Sequence, residues 1–257
     1  MRLRESQRVK KSLPAPSLEW CLFLDVDGTL IELNDTPSGT DADPEIKSLL
    51  RNVAERLGGA LALVSGRRIE SIDALFAPLK FPTAGLHGVE RRKASGAMQG
   101  ASFVDAQLDH ARTAIKALVA AHPGTLVEDK DRIIAVHFRK APQHEAAIVQ
   151  AMTEIAKPLG KNYQIQRGNM VLEIKPRGFN KATAVRAFMK EPPFSGRLPV
   201  FAGDDLTDQD AFAMVEAQNG ISIAVGDRVQ GQFQLDDVAA VRSWLEGIAA
   251  LHDSHRA

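Results

Sequence analysis

Cysteine is almost absent from this 257-residue sequence. Cys21 stands alone, which excludes an intramolecular disulfide and any cysteine-cluster zinc site, and its setting in the apolar run Trp20-Cys21-Leu22-Phe23-Leu24 makes it small core filler. Net charge is absent as well, 32 basic residues facing 32 acidic ones. A chain so balanced is not drawn as a whole to nucleic acid or anionic lipid, so an anionic ligand has to be met by local groups. No apolar run approaches the roughly 20 residues that a membrane span requires, and no membrane partner is expected. The opening MRLRESQRVKKSLPAPS carries basic residues without the apolar middle of a signal peptide. It reads as a disordered tail over 1–17 on a cytoplasmic protein. Internal repeats and low-complexity segments are missing too.

What the sequence does have is periodicity. The run ending at Leu24 reads as a buried strand, followed by an acidic turn and a loop rich in Asp, Pro, Ser and Gly. Asp43 is placed to cap a helix with Pro44 in its first turn. Ile46, Leu49, Leu50, Val53 and Leu57 then recur at helical spacing until Gly58-Gly59 stops it. A strand over 60–64, a helix over 69–75 and a strand over 83–86 complete an opening third that alternates as parallel α/β sheets do. The middle differs: a helix over 108–121, strands over 125–128 and 133–139, a helix over 144–159, then strands over 163–166 and 170–174. Turns as short as 129–132 and 168–169 imply antiparallel hairpins, foreign to the flanking pattern. From Asn180 the alternation resumes, with a helix over 182–189, a strand over 198–202, a helix over 208–215, a strand over 221–225 and a closing helix. The expectation is an α/β core over 18–104 and 176–257, interrupted by a smaller α+β domain over 105–175.

Ligands bind at the carboxyl ends of such parallel strands, and the charged residues gather there. The first strand runs directly into Asp25-Val26-Asp27-Gly28-Thr29. Asp25 is placed to attack phosphorus, and Asp27 to protonate a leaving alcohol and later activate water. Gly28 lets the backbone turn tightly near a phosphate. In isolation the same five residues are also an Asp-Gly turn with a cap. A carboxylate attacking a phosphate dianion needs a hard cation and other positive groups beside it. Strand 198–202 ends in Gly203-Asp204-Asp205-Leu206-Thr207-Asp208, an acidic cluster suited to Mg²⁺, although alone it is equally a helix cap through Thr207 or Asp208. Strand 60–64 ends in Ser65-Gly66-Arg67, a hydroxyl and backbone N–H groups able to hold phosphate oxygens. Lys181 opens a helix, where its ammonium can neutralise phosphate, surface solvation being the commoner fate of any one lysine.

Taken in order, DVDGT, SGR, a lysine and GDDLTD resemble the motifs of the haloacid dehalogenase superfamily of phosphohydrolases. A finer resemblance, to trehalose-6-phosphate phosphatases, is carried by Gly85-Leu86-His87-Gly88, Val127-Glu128-Asp129-Lys130, Ala135-Val136-His137-Phe138-Arg139, Val171-Leu172-Glu173-Ile174 and Gly203-Asp204-Asp205-Leu206-Thr207-Asp208. The resemblance implies a Rossmann-like parallel-sheet core with the insert as a cap over the active site. It implies hydrolysis of trehalose 6-phosphate to trehalose and phosphate through an aspartyl-phosphate, with Asp25 as nucleophile and Asp27 as acid/base. It implies Mg²⁺ held by Asp25, the Asp27 carbonyl and Asp204, with Asp208 in support. Ser65 and Lys181 are implied as phosphate ligands, with Thr29, Gly66 and Arg67 as substrate-binding residues beside them. Glu128, Lys130, Arg139 and Glu173 fall on the cap as sugar-hydroxyl and phosphate contacts. His87 and Gly88 are candidate substrate contacts, His87 being equally able to tie down a loop. Functional pairing with a trehalose-phosphate synthase is a further expectation. Ala182 where glycine is common, and Val26 where an aromatic is frequent, depart from the pattern without removing a reacting group.

Strand parity bears on the cap independently. Ile134, Val136 and Phe138 share one face while His137 and Arg139 share the other, and Glu173 opposes Leu172 and Ile174. Rival readings are the same chemistry on sucrose phosphate or a mannosyl phosphate, a phosphomutase that transfers phosphate instead of releasing it, and a non-catalytic binding module.

Overall fold

The computed structural model describes residues 12–33, 42–100 and 106–252, without side chains at 106 and 107. Most of the expected tail lies outside the described residues. So do the loop at 34–41 and residues 101–105, where the insert is expected to begin.

Strand β1 (Trp20–Leu24) is buried at every position, which accounts for an apolar run without alternation. Helix α1 (Pro44–Arg56) begins where the Asp43 side chain accepts a hydrogen bond from the Ile46 N–H at 2.8 Å, and it buries Ile46, Leu50 and Val53. Next come β2 (Leu61–Val64), α2 (Ile69–Phe76) and β3 (Thr83–Gly85). Two strands that the sequence pattern does not announce follow, β4 (Glu90–Arg92) and β5 (Met98–Gly100). Glu90-Arg91-Arg92 lacks apolar residues, yet both arginines are buried. Arg92 donates to both oxygens of Asp73 at 2.7 Å and to the Phe81 carbonyl, while Arg91 lies over the Phe188 ring and pairs with Glu191.

The middle segment forms α3 (Ala106–Ala120), β6 (Leu126–Asp129), β7 (Ile134–His137), α4 (Glu145–Ala156), β8 (Tyr163–Gly168) and β9 (Val171–Pro176). Its strands make a separate antiparallel sheet in the order β6-β7-β9-β8. Ile134, Val136, Leu172 and Ile174 pack with Ile115 of α3 and Ile148 and Met152 of α4 in a core of their own. Opposite parity aligns Glu128, Ala135, Glu173 and Gln166 in one row across the four strands, on the face away from those helices.

The chain then continues through α5 (Lys181–Phe188), β10 (Leu198–Gly203), α6 (Gln209–Glu216), β11 (Ile221–Val225), a short unanticipated β12 (Phe233–Leu235) and α7 (Val238–Ala249). The large sheet has the order β12-β11-β10-β1-β2-β3-β4-β5, parallel from β12 to β3 and antiparallel at β4 and β5. β1 is therefore flanked by β10 and β2 in its middle. Phe23 projects from it onto Phe194, ring centroids 5.4 Å apart, and Phe188 packs on both. Each of these rings, fully buried, contributes roughly 1.5–3 kcal/mol by leaving water. Cys21 is buried in the same core with its Sγ 3.5 Å from Met189 Sδ.

Candidate active site

Four parallel strands end at one edge of the large sheet, and each hands its next residues to the same place. Asp25 follows β1, Ser65 follows β2, Asp204 follows β10 and Arg228 lies three residues beyond β11. The polar row of the small sheet lies across from them. Between the two sheets is a cavity of about 220 Å³, lined by Asp25, Asp27, Ser65, Gly66, Arg67, His87, Lys181 and Asp204 on one side and by Glu128, Lys130, Arg139, Gln166 and Glu173 on the other.

At the floor of the cavity three buried carboxylates converge, with one oxygen from each of Asp25, Asp204 and Asp208 lying within 4.8 Å of the others. Lys181 joins two of them, its Nζ 2.8 Å from Asp25 Oδ1 and 2.6 Å from Asp208 Oδ1. Lys181 arrives there because Asn180 caps α5 with a capping box, so the first helical side chain points at the end of β1. Burial alone works against the Lys181 ammonium, but Asp208 and Asp25 outweigh it and raise its pKa. Burial raises Asp25 and Asp208, and it pushes Asp204 up to about 8 with the Asp25 charge adding to the effect. The other oxygen of Asp208 accepts the N–H groups of Asp204 and Asp205 at 3.1 and 3.0 Å, which fixes the acidic loop. Asp204 Oδ1 has no partner among the described residues. Gly28 permits this crowding: its φ is +79°, and a Cβ there would overlap the Asp204 carboxylate.

Asp27 is turned elsewhere. Its two oxygens accept Arg67 Nε at 2.7 Å and Nη2 at 2.6 Å, a bidentate pair that raises the arginine's pKa. Ser65 is buried, with its Oγ accepting the Arg67 N–H at 3.1 Å.

Across the cavity the charged residues hold one another. Glu173 accepts from His87 Nε2 at 2.9 Å and from Lys130 Nζ at 3.1 Å, and Lys130 also reaches the Gly66 carbonyl at 3.3 Å. Glu128 Oε2 sits 3.4 Å from Lys130 and 2.9 Å from His137. Burial raises Glu173, but Lys130 and His87 outweigh it and hold its pKa well below the ordinary carboxylate value. Burial lowers His87 in spite of Glu173. His87 lines the cavity, and its bond runs not to a loop but to Glu173 in β9 of the small sheet. Its ring packs so closely on Gly66 that a Cβ there would come within 2.7 Å of it.

A family model described as trehalose-phosphatase matches residues 23–238. The chain belongs to that family. Among relatives, a probable trehalose-phosphate phosphatase from Sinorhizobium fredii is 40% identical over 232 residues, 90% of this chain and 87% of that one. A trehalose-6-phosphate phosphatase from Escherichia coli is 40% identical over 236 residues, covering 91% and 88%. A solved trehalose-6-phosphate phosphatase related protein superimposes with a TM-score of 0.73 at 26% identity, covering 89% of this chain and 96% of that one. The fold is that of haloacid dehalogenase-like hydrolases, and this member of the trehalose-phosphatase family is a phosphatase.

Not every expected residue of this family member reaches the cavity. Thr29 is buried with its hydroxyl unpartnered among the described residues, Gly88 packs on Asn180 and Ala184, and neither is a lining residue. Asp208 lies below the cavity, bound to Lys181, and the Asp27 carboxylate stands apart from the acidic trio. Arg139 lines the cavity as an exposed side chain. Sequence reasoning left His137, Gln166 and Arg228 unassigned. The rule that exposed Asp25, that ligand residues follow parallel strands, applies equally to Arg228 after β11.

Proposed function

We propose that this phosphatase hydrolyses trehalose 6-phosphate to trehalose and inorganic phosphate, with Mg²⁺ as cofactor. The observation that carries the proposal is the buried Asp25 carboxylate at the end of the central strand, joined to Lys181 and facing the polar row of the small sheet. The donor set fits the cation, being made of hard carboxylate oxygens, one of them buried and unpartnered. Asp25, Asp204 and the Asp27 carbonyl would hold it with Asp208 in support, and when bound it supplies positive charge that offsets repulsion between carboxylate and phosphate.

In this reading Asp25 attacks phosphorus and the ester oxygen leaves with a proton from Asp27. Asp27 then takes a proton from water, which attacks the aspartyl-phosphate and releases phosphate. Lys181, protonated across the working range, keeps Asp25 oriented and offsets charge on the transferring group. Arg67 binds phosphate oxygens alongside Ser65 and Gly66, and in doing so releases Asp27 to carry its proton. On the small sheet Glu128, Lys130 and Glu173 exchange their mutual pairing for sugar hydroxyls and Arg139 adds its exposed guanidinium, with His87 at the seam. The segment 105–175 acts as a cap that excludes bulk water from the reaction. The enzyme works in the cytoplasm beside a trehalose-phosphate synthase. Among the described residues no helix is long and apolar enough to cross a membrane.

The test is phosphate release from trehalose 6-phosphate, sucrose 6-phosphate and glucose 6-phosphate, with Mg²⁺ or with EDTA, on the wild type and on Asp25→Asn. Metal-dependent preference for trehalose 6-phosphate, abolished by Asp25→Asn, is expected. Preference for another sugar refutes the cap assignment, and turnover by Asp25→Asn refutes the nucleophile.

A further inference from the structure

Lys181 reaches Asp25 and Asp208 but makes no ion pair with Asp204. When all three buried carboxylates are ionised, one ammonium leaves an excess of two negative charges, and Asp204 meets a different cation. Its Oδ2 pairs with Nη2 of Arg228, from the loop that leaves β11 at its carboxyl end. The Asp204 side chain is 3% exposed, whereas Arg228 is 32% exposed and lines the cavity. The two partners are therefore unequal, since the carboxylate is fixed in the floor and the guanidinium has solvent at its back.

We infer that Arg228 is a resident counter-ion of the metal seat, which neutralises Asp204 when no divalent cation is bound and must withdraw when one is. The inference rests on the reading that Asp204 is a metal ligand. Arg228 removes one of the two excess charges and a divalent cation removes both, so the cation wins at sufficient concentration. Like charges a few ångströms apart in a partly buried site repel strongly, so the two cations cannot both stay on Asp204. Arg228 thus sets the concentration at which the seat fills. The chain has room to let it go: Arg228 sits two residues after Gly226, whose φ of +71° begins a turn away from β11.

The test is calorimetric titration of Mg²⁺ and of Mn²⁺ into the full-length, EDTA-stripped protein without substrate, for the wild type, Arg228→Gln and Arg228→Lys. The metal-free melting temperature is measured in parallel. Arg228→Gln is expected to bind divalent cation about tenfold more tightly and to melt lower than wild type without metal, the two melting together at saturation. Arg228→Lys falls between them, and it carries the test if the glutamine variant does not fold. Equal or weaker metal binding by the variants overturns the inference while leaving the metal seat intact. Absence of binding to any of the three proteins overturns the metal seat and the inference together.

Discussion

Replacing Lys181 by methionine removes one ammonium from between two buried carboxylates. The side chain is nearly isosteric, so the perturbation is electrical rather than steric. In the wild type the Nζ lies 2.8 Å from Asp25 and 2.6 Å from Asp208, all three groups buried. Taking one partner from a buried ion pair costs about 3–5 kcal/mol when the other must stay charged. The pH dependence follows from the direction of each shift. Lys181, raised in the fold, contributes stability throughout the range below its ordinary pKa and loses it only as pH rises through the still higher folded value. Asp25 and Asp208 are raised as well, so each weakens the fold as pH climbs from the ordinary carboxylate value towards its folded one. Without Lys181 both carboxyls rise further. Where they take up protons on acidification the expected loss falls to about 1 kcal/mol; at pH 8 it approaches the full 3–5 kcal/mol, roughly a 10 °C fall in Tm for a chain of this size. Urea titrations in EDTA at pH 5, 6.5 and 8 measure this directly. A loss that does not change with pH, or one below about 1 kcal/mol at pH 8, refutes the account of Lys181 as the counter-ion of Asp25 and Asp208.

Two further outcomes follow from the same geometry. Glu173→Gln leaves Lys130 and His87 facing a neutral amide; because the Glu173 pKa is depressed in the fold, the stability it contributes is present above the ordinary carboxylate pKa and lost as pH falls through the folded value. The variant should therefore lose about 3 kcal/mol at pH 7 and much less near pH 3 by urea titration, and a loss that grows on acidification contradicts the ion-pair reading. Gly28→Ala puts a methyl group into the Asp204 carboxylate at a φ of +79°. It should abolish divalent-cation binding by calorimetry while helical circular dichroism stays native, and unchanged metal affinity would show that the close approach is dispensable.

The parts of the site that could be read from sequence are those that chain order alone brings to one edge. Asp25, Ser65 and Asp204 each follow an apolar run, and parallel pairing gathers run ends regardless of the distances between them in sequence. Parity likewise separates Glu173 from Leu172 and Ile174, because a strand has only two faces. Pairing between side chains was not legible. That Arg67 clasps Asp27, or that Glu173 and Lys130 hold each other and His87, depends on distances across two sheets that no local pattern encodes. His87 and Leu86 adopt positive φ of 54° and 51°, an arrangement that tertiary contacts impose on residues with no propensity for it. β4 escaped notice because its apolar signal is missing, Arg91 and Arg92 being buried by ion pairs and an aromatic ring instead. Arg228 escaped because a charged residue in a loop looks like any other.

Pro176 ends β9 of the small sheet and Lys181 begins α5 of the large one, with only residues 177–180 between them. Asn180 is anchored as the helix cap and Gly178, at a φ of +87°, has the freest backbone of the four. Five peptide steps span at most about 18 Å when fully drawn out. This connection is a short leash whose far end is the lysine that pairs with Asp25 and Asp208. Glu173, which lines the cavity from the small sheet, and Lys181, which pairs with Asp25, stand on either side of it, so opening of the cavity along this edge is limited by the leash and its strain falls first on the ammonium beside Asp25.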